Sequence, residues 1–387
     1  MYCLILIEKP LKIKNTLLLL LVFSFGCASV FSQQGKVDPT FNTYDDGLLG
    51  DGFDNTVRTL SVQDDGKLIV GGDFLNFNGV ATPYLCRLLP DGSKDASFFL
   101  GTGFNNKVYT SLLQPDGKIL VAGSFTQFNG TAVGRLVRLN PDGSRDSSFT
   151  ASPGATNSII YNMVLQSDGS IFLVGSFTSF NGTAANRIVK ILPNGAVDTS
   201  FVTGSGASGL IEKIALQSDG KIIIGGGFSS FNGSTVGKIA RLNANGTLDT
   251  SFVTGVGFDN NVSAIGIQSD GKIILGGSFT TFNGTAANRI LRINTDGTVD
   301  ASFTSGTGFN SGAVETIKMN SSGAFMLGGS FSGTYNGLAV NRVQLFLPDG
   351  AINTAFDIGN GPASATVYAL ENFMDTSWYV GGSFSVF

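Results

Sequence analysis

Apolar residues along this 387-residue chain fall in short runs separated by polar turns, and no 3.6-residue spacing appears beyond the first 32 positions. That pattern predicts many strands and almost no helix. One stretch shows the rule. Residues 262–268 form a first strand, and Ser269-Asp270-Gly271 turns the chain into a second, residues 272–279. A loop at Phe282-Asn283-Gly284 leads to a third strand, 289–294, and Thr295-Asp296-Gly297 leads to a fourth, 298–303. Asp-Gly and Asn-Gly suit these turns because glycine adopts the positive φ that tight hairpins need. The second strand reads Ile273, Ile274, Leu275, Gly276, Gly277 without polar alternation. A continuous apolar run implies burial on both faces.

The same unit recurs from Asp38 onward. A Gly-Gly-Ser-Phe type tetrad ends at Phe74, Phe125, Phe177, Phe228, Phe279, Phe331 and Phe384, at spacings of 51 to 53 residues. An Asp-x-Ser-Phe type motif ends at Phe41, Phe98, Phe149, Phe201, Phe252, Phe303 and Phe356. One four-stranded unit cannot bury its own faces, so it must stack on its neighbours. These features predict an all-β fold: a β-propeller of four-stranded blades with about seven repeats of 51–53 residues. Hairpin turns within each unit argue against a β-solenoid, and the lack of a spaced Tyr and Trp in each blade argues against kelch repeats. Residues 35–41 match a fourth strand, and Phe387 matches the Phe of Phe-Asn-Gly. The N-terminal strand is therefore expected to complete the last blade as a clasp. That blade is incomplete because its third strand is missing, and the chain is expected to be truncated at Phe387.

Asp249-Thr-Ser-Phe252, Gln268-Ser-Asp-Gly-Lys272, Gly276-Gly-Ser-Phe279 and Asn283-Gly-Thr285 resemble the delta-60 repeat family of bacterial exported proteins. The resemblance covers residues 38–387. It implies a β-propeller of unknown biochemical role and supplies no catalytic residues to carry over.

The first 32 residues change the picture of location. Lys9, Lys12 and Lys14 precede the apolar run 17–22, and Val30-Phe31-Ser32 precedes Gln33. A basic segment, a short apolar core and modest side chains before a break mark a secretory signal. The expected division is a signal peptide over 1–32 and the seven-repeat propeller over 33–387, secreted or on the cell surface. Lipidation at Cys27 is the lesser alternative. The apolar run is shorter than the roughly 20 residues needed to span a bilayer, so no transmembrane segment is expected after leader removal.

Composition limits the chemistry. The chain has no histidine, and its third cysteine, Cys86, is the only one outside the leader. This removes His-based triads, His-containing metal sites and intramolecular disulfides from the mature body. A net charge of −4 without basic runs gives nucleic acid nothing to hold. Asp45, Asp46, Asp51 and Asp54 cluster within ten residues and are a candidate calcium site, set against the commoner solvated acidic loop. No other cofactor is expected. Asp38, Asp95, Asp146, Asp198, Asp249 and Asp300 recur with the repeat, as do Arg135, Arg187, Lys238, Arg289 and Arg342. Turn formation and local pairing explain one such group per blade better than charged rings around a pore. Unrepeated Glu212, Glu315 and Glu371 are the only candidates for paired-carboxylate hydrolysis, and their spacing reads more as surface variation. The leading expectation is a non-enzymatic binding or structural scaffold for protein or glycan at blade-edge loops. The alternative is a carbohydrate-active propeller that binds or hydrolyses glycans.

Overall fold

The turns fold each repeat into antiparallel hairpins. In blade five, Val262–Ile267 pairs with Ile273–Gly277, which pairs with Ile290–Ile293. Thr281–Phe282 and Thr285–Ala286 form a small outer hairpin around Asn283, which sits at φ 50°. The fourth segment is shorter than the sequence pattern predicts and attaches by one bridge, Ile293 to Val299. Asp300 then captures the Ser302 N–H at 3.0 Å in a side-chain turn that bends the backbone out of the ladder. This computed structural model describes residues 4–8, 38, 40–43, 52–151, 154–155, 157–359, 361–362, 365–375 and 377–384. The described residues contain no α-helix, and hence none long and apolar enough to cross a membrane.

Seven first strands, from Val57–Val62 to Val367–Phe373, stand side by side in cyclic order and line a central channel. The last contacts the first, so the described residues form a closed ring of seven blades. Phe41 packs on Tyr379 of blade seven, with ring centroids 5.6 Å apart. Phe201 makes the equivalent contact with Phe172 inside blade three at 5.2 Å. The N-terminal strand-four segment thus completes blade seven as a clasp. Among the described residues, the backbone of Leu4–Glu8 takes the place of a third strand in blade seven, against Ser377–Gly382. Those five residues lie within the segment read as a signal peptide, 1–32, whose other residues lie outside the described ones.

The seams between blades explain the glycine tetrad. A Cβ on Gly276 would come within 2.4 Å of Val314 Cγ1 in the next blade, and one on Gly381 within 2.5 Å of Val57 Cγ1. This position varies: Ala122 and Val174 occupy it in blades two and three. A Cβ on Gly277 would instead come within 2.0 Å of the Asn261 backbone oxygen of its own blade. Side chains can yield and a hydrogen-bonded backbone cannot, so all seven blades keep this second glycine. Each apolar cluster accordingly spans two blades, as where Ile223 and Ile239 of blade four meet Val262, Ile273 and Phe279 of blade five.

A buried cation reinforces four of these seams. Arg292 donates to Asp300 at 2.7 Å and to the Pro348 carbonyl of the next blade at 2.6 Å, and lies over the Phe303 ring. Arg87, Arg138 and Arg241 repeat the arrangement with Asp95, Asp146 and Asp249. Lys190 and Asp198 make the ion pair in blade three. Arg135, Arg187 and Arg289 cap the backbone carbonyls of Ala155, Ala207 and Phe309. The recurrent charges therefore act in local pairing rather than as pore rings. Cys86 is buried in the core, and desolvation pushes its thiol up to about 12.

Two predictions follow from this packing. Gly277→Ala is expected to cost about 3 kcal/mol, against about 1 kcal/mol for Gly276→Ala, read as denaturant midpoints. Equal costs would refute the backbone-contact explanation. Burial raises the Asp95 carboxyl, but Ser97 hydrogen bonds and the Arg87 charge outweigh it and hold the group at about 2. A depressed folded pKa stabilises above the unfolded value near 4 and loses that contribution as pH falls. Stability should therefore decline from about pH 4 to about pH 2. Asp95→Asn should flatten part of that decline in thermal melts, and an unchanged slope would count against the pairing.

Candidate functional site

A β-bulge sits at the same place in every blade. Ladder pairing skips one residue in each first strand, as between Ile211 and Lys213 in blade four and between Val314 and Thr316 in blade six. A bulged residue has no partner in the ladder and is re-aimed from its neighbours' faces. The skipped residues are Arg58, Tyr109, Tyr161, Glu212, Ser263, Glu315 and Tyr368, in blade order. All seven line one cavity of about 230 Å³ at the channel mouth, together with Leu210 and Lys213. The residue just before each of them is always Val or Ile, while the ring itself is chemically mixed. The scaffold therefore repeats up to the bulge and varies at it.

Charges in this ring are arranged unevenly. Arg58 grips Asp73 with two nitrogens, at 2.5 and 2.7 Å, and Lys107 reaches the same carboxylate at 2.8 Å. Asp73 stands where five of the other six blades carry the tetrad serine and blade four carries Gly227. Burial raises its carboxyl, but hydrogen bonds from Arg58 and Lys107 outweigh this and hold it below the usual range. The Arg58 guanidinium lies 4.8 Å from the Tyr109 ring centroid and 5.2 Å from that of Tyr368. Tyr109 meets Tyr161 edge-on at 5.3 Å.

Across the mouth, Glu212 accepts a hydrogen bond from Asn261 at 2.8 Å. Glu315 has no hydrogen-bond partner among the described residues. Burial first and the Glu212 charge second push its carboxyl above the usual range, with Lys213 opposing. Burial also lowers the Lys213 amine, against the pull of both glutamates. The mouth thus combines aromatic faces, an unpaired acceptor and a desolvated donor.

The structure sorts the sequence candidates. Glu212 and Glu315 converge on one cavity, where their sequence spacing reads as surface variation. Glu371 lies elsewhere, paired with Lys318 at 2.5 Å. Asp45, Asp46 and Asp51 lie outside the described residues. Asp54 accepts the N–H groups of Leu75 and Asn76 at 2.8 and 3.0 Å, the same task that Asn105 and Asp259 perform in other blades. No group of three or more metal-ligating side chains occurs among the described residues. Sequence reasoning missed the bulge ring. Its signal is a column of the aligned repeats that changes identity in the middle of a regular strand.

Comparison with known proteins follows the repeat. Residues 63–98, 114–149, 166–201, 217–252 and 268–303 match the family described as "Domain of unknown function (DUF5122) beta-propeller". No curated protein matches the chain. Among solved structures, the chain is similar to the extracellular domain of a protein described as a hybrid two component system from B. thetaiotaomicron. That match has 13% identity and a TM-score of 0.53, covering 86% of this chain and 39% of the other. A second such extracellular domain from the same organism matches at 15% identity and TM-score 0.51, covering 89% and 40%. Virginiamycin B lyase from Staphylococcus aureus matches at 14% and 0.50, covering 85% and 94%. The chain spans about two fifths of the two extracellular domains, and at these identities the likeness is one of fold.

One prediction tests the electrostatics of the mouth. A carboxyl whose folded pKa is raised stabilises fully below its unfolded value and loses that contribution as pH rises through the folded value. Glu315→Gln is therefore expected to stabilise the protein at pH 7 by about 1 kcal/mol and to change little at pH 4. Urea unfolding at both pH values checks this, and destabilisation at pH 7 would mean that Glu315 is well paired.

Proposed function

The chain is a β-propeller built of repeats from a β-propeller repeat family, and from that premise we propose that it is an exported, non-enzymatic binding module whose ligand seat is the channel mouth. The bulge ring carries this reading. Seven blades hold the scaffold constant and vary one side chain each, all at one cavity. Residues kept unpaired and partly desolvated at a cost in stability mark functional sites. Export rests on the basic and apolar leader and on the delta-60 resemblance of the repeats, and the extracellular origin of two fold neighbours agrees with it. The experiment is expression with the leader intact, N-terminal sequencing of the released product, and ligand screening of that product by thermal shift. A new N-terminus at Gln33 supports export, and a ligand whose shift is lost in Tyr161→Ala supports the seat. Retention of the full leader inside the cell, or ligand shifts indifferent to the mouth, would overturn the respective half.

One observation favours the second reading, a carbohydrate-active enzyme. Burial and the neighbouring Glu212 charge push the Glu315 carboxyl above the usual range, and both carboxyls line one cavity, an arrangement that hydrolytic acid and base pairs share. Turnover of aryl glycosides abolished by both Glu315→Gln and Glu212→Gln would establish it. Binding without turnover leaves the module reading in place.

A further inference from the structure

Resting on the channel-mouth reading, we propose that the seat takes a small zwitterion, a free amino acid or peptide of similar size carrying both an ammonium and a carboxylate group. The charge layout carries the inference. On the blade one side, Arg58 and Lys107 share the single carboxylate of Asp73, which leaves one positive charge in excess. On the side of blades four to six, Glu212 and Glu315 face the single cation Lys213, which leaves one negative charge in excess. The two excesses lie across the ring, separated by Tyr109 and Tyr161 on one arc and Tyr368 on the other. A molecule with opposite charges at its ends answers both sides. A neutral sugar answers neither, and a simple cation answers one.

Local geometry agrees with this assignment. Glu315 has an unsatisfied carboxylate facing the cavity, and Glu212 engages Asn261 through one oxygen only. These acceptors suit an ammonium group, and the flanking tyrosine faces favour it further. Arg58 lines the cavity itself and offers the positive side, while Lys107, on Asp73 at 2.8 Å, shares the carboxylate that would otherwise neutralise Arg58 alone. The cavity of about 230 Å³ is smaller than the roughly 300–1,000 Å³ of drug-sized pockets, so the ligand is compact.

The test uses the full chain and isothermal titration with free L-leucine, L-phenylalanine, L-arginine and glycyl-glycine. The N-acetyl and carboxamide forms of each are run beside them, with glucose, galactose and N-acetylglucosamine as a separate panel. We expect at least one free form to bind and each single cap to weaken it at least tenfold. Glu315→Gln should weaken the free form and the carboxamide alike, because both keep the ammonium. Lys107→Met should weaken the free form while leaving the carboxamide unaffected. Circular dichroism and melting curves confirm that both variants fold. Equal binding of free and capped forms overturns the proposal. Binding of a sugar but of no amino acid or peptide overturns the zwitterion and leaves the mouth as a seat. No binding in either panel overturns both.

Discussion

Six of the seven seams share one steric constraint, the fit of a branched side chain from one blade into the space that a small residue leaves in the blade before it. Blade three has Val174 at that place. Val57 against Gly381, Val314 against Gly276 and Val262 against Gly225 are instances of the same contact. No blade can satisfy it alone, so each sheet is stable only between two neighbours. The contact also sets the approach of successive first strands and thereby the width of the channel. The buried Arg and Asp pairs act farther out on the same seams. Blade six dispenses with both charges together, with Leu345 and Asn353 at the corresponding positions. That joint loss fits the expense of leaving one buried charge unpaired.

The bulge turns this rigid frame into a presenting surface. Without it, strict alternation would place the residue after Val262 or Val314 on a face already filled by a neighbouring blade. The extra residue releases that side chain from the ladder, and seven such releases meet at one mouth. The site is therefore held by the backbone ladders on either side of each bulge, and variable because its own side chains stand outside those ladders.

Much of the fold was legible in the sequence because it is periodic. The strand runs, the Asp-Gly turns and the tetrads gave the blade, the count and the clasp through Phe41. The fourth strand was overestimated because the Asp-x-Ser-Phe motif looks extended in sequence but forms a side-chain turn at Asp300. The acidic cluster around Asp54 drew notice because its members are close in sequence. Asp54 instead belongs to a column shared with Asn105 and Asp259, and it fixes a hairpin. The site itself was hidden because Arg58, Tyr109 and Glu315 lie far apart along the chain. Only the ring brings them together, and no single repeat differs enough to show it.

The clasp has a kinetic meaning. Phe41 is made long before Tyr379, and its partner surface exists only once blade seven has formed. Neighbouring blades can dock as they are synthesised, since their contacts are close in sequence. The closing contact joins residues far apart along the chain and carries a far larger loop entropy than any contact between consecutive blades. Ring closure is thus the natural last step of folding and the first to open under tension applied near those two residues. A half-open ring would present the bulge residues as an arc, with Arg58 and Tyr368 no longer neighbours. The shape of the mouth is then set by whether the circle has shut.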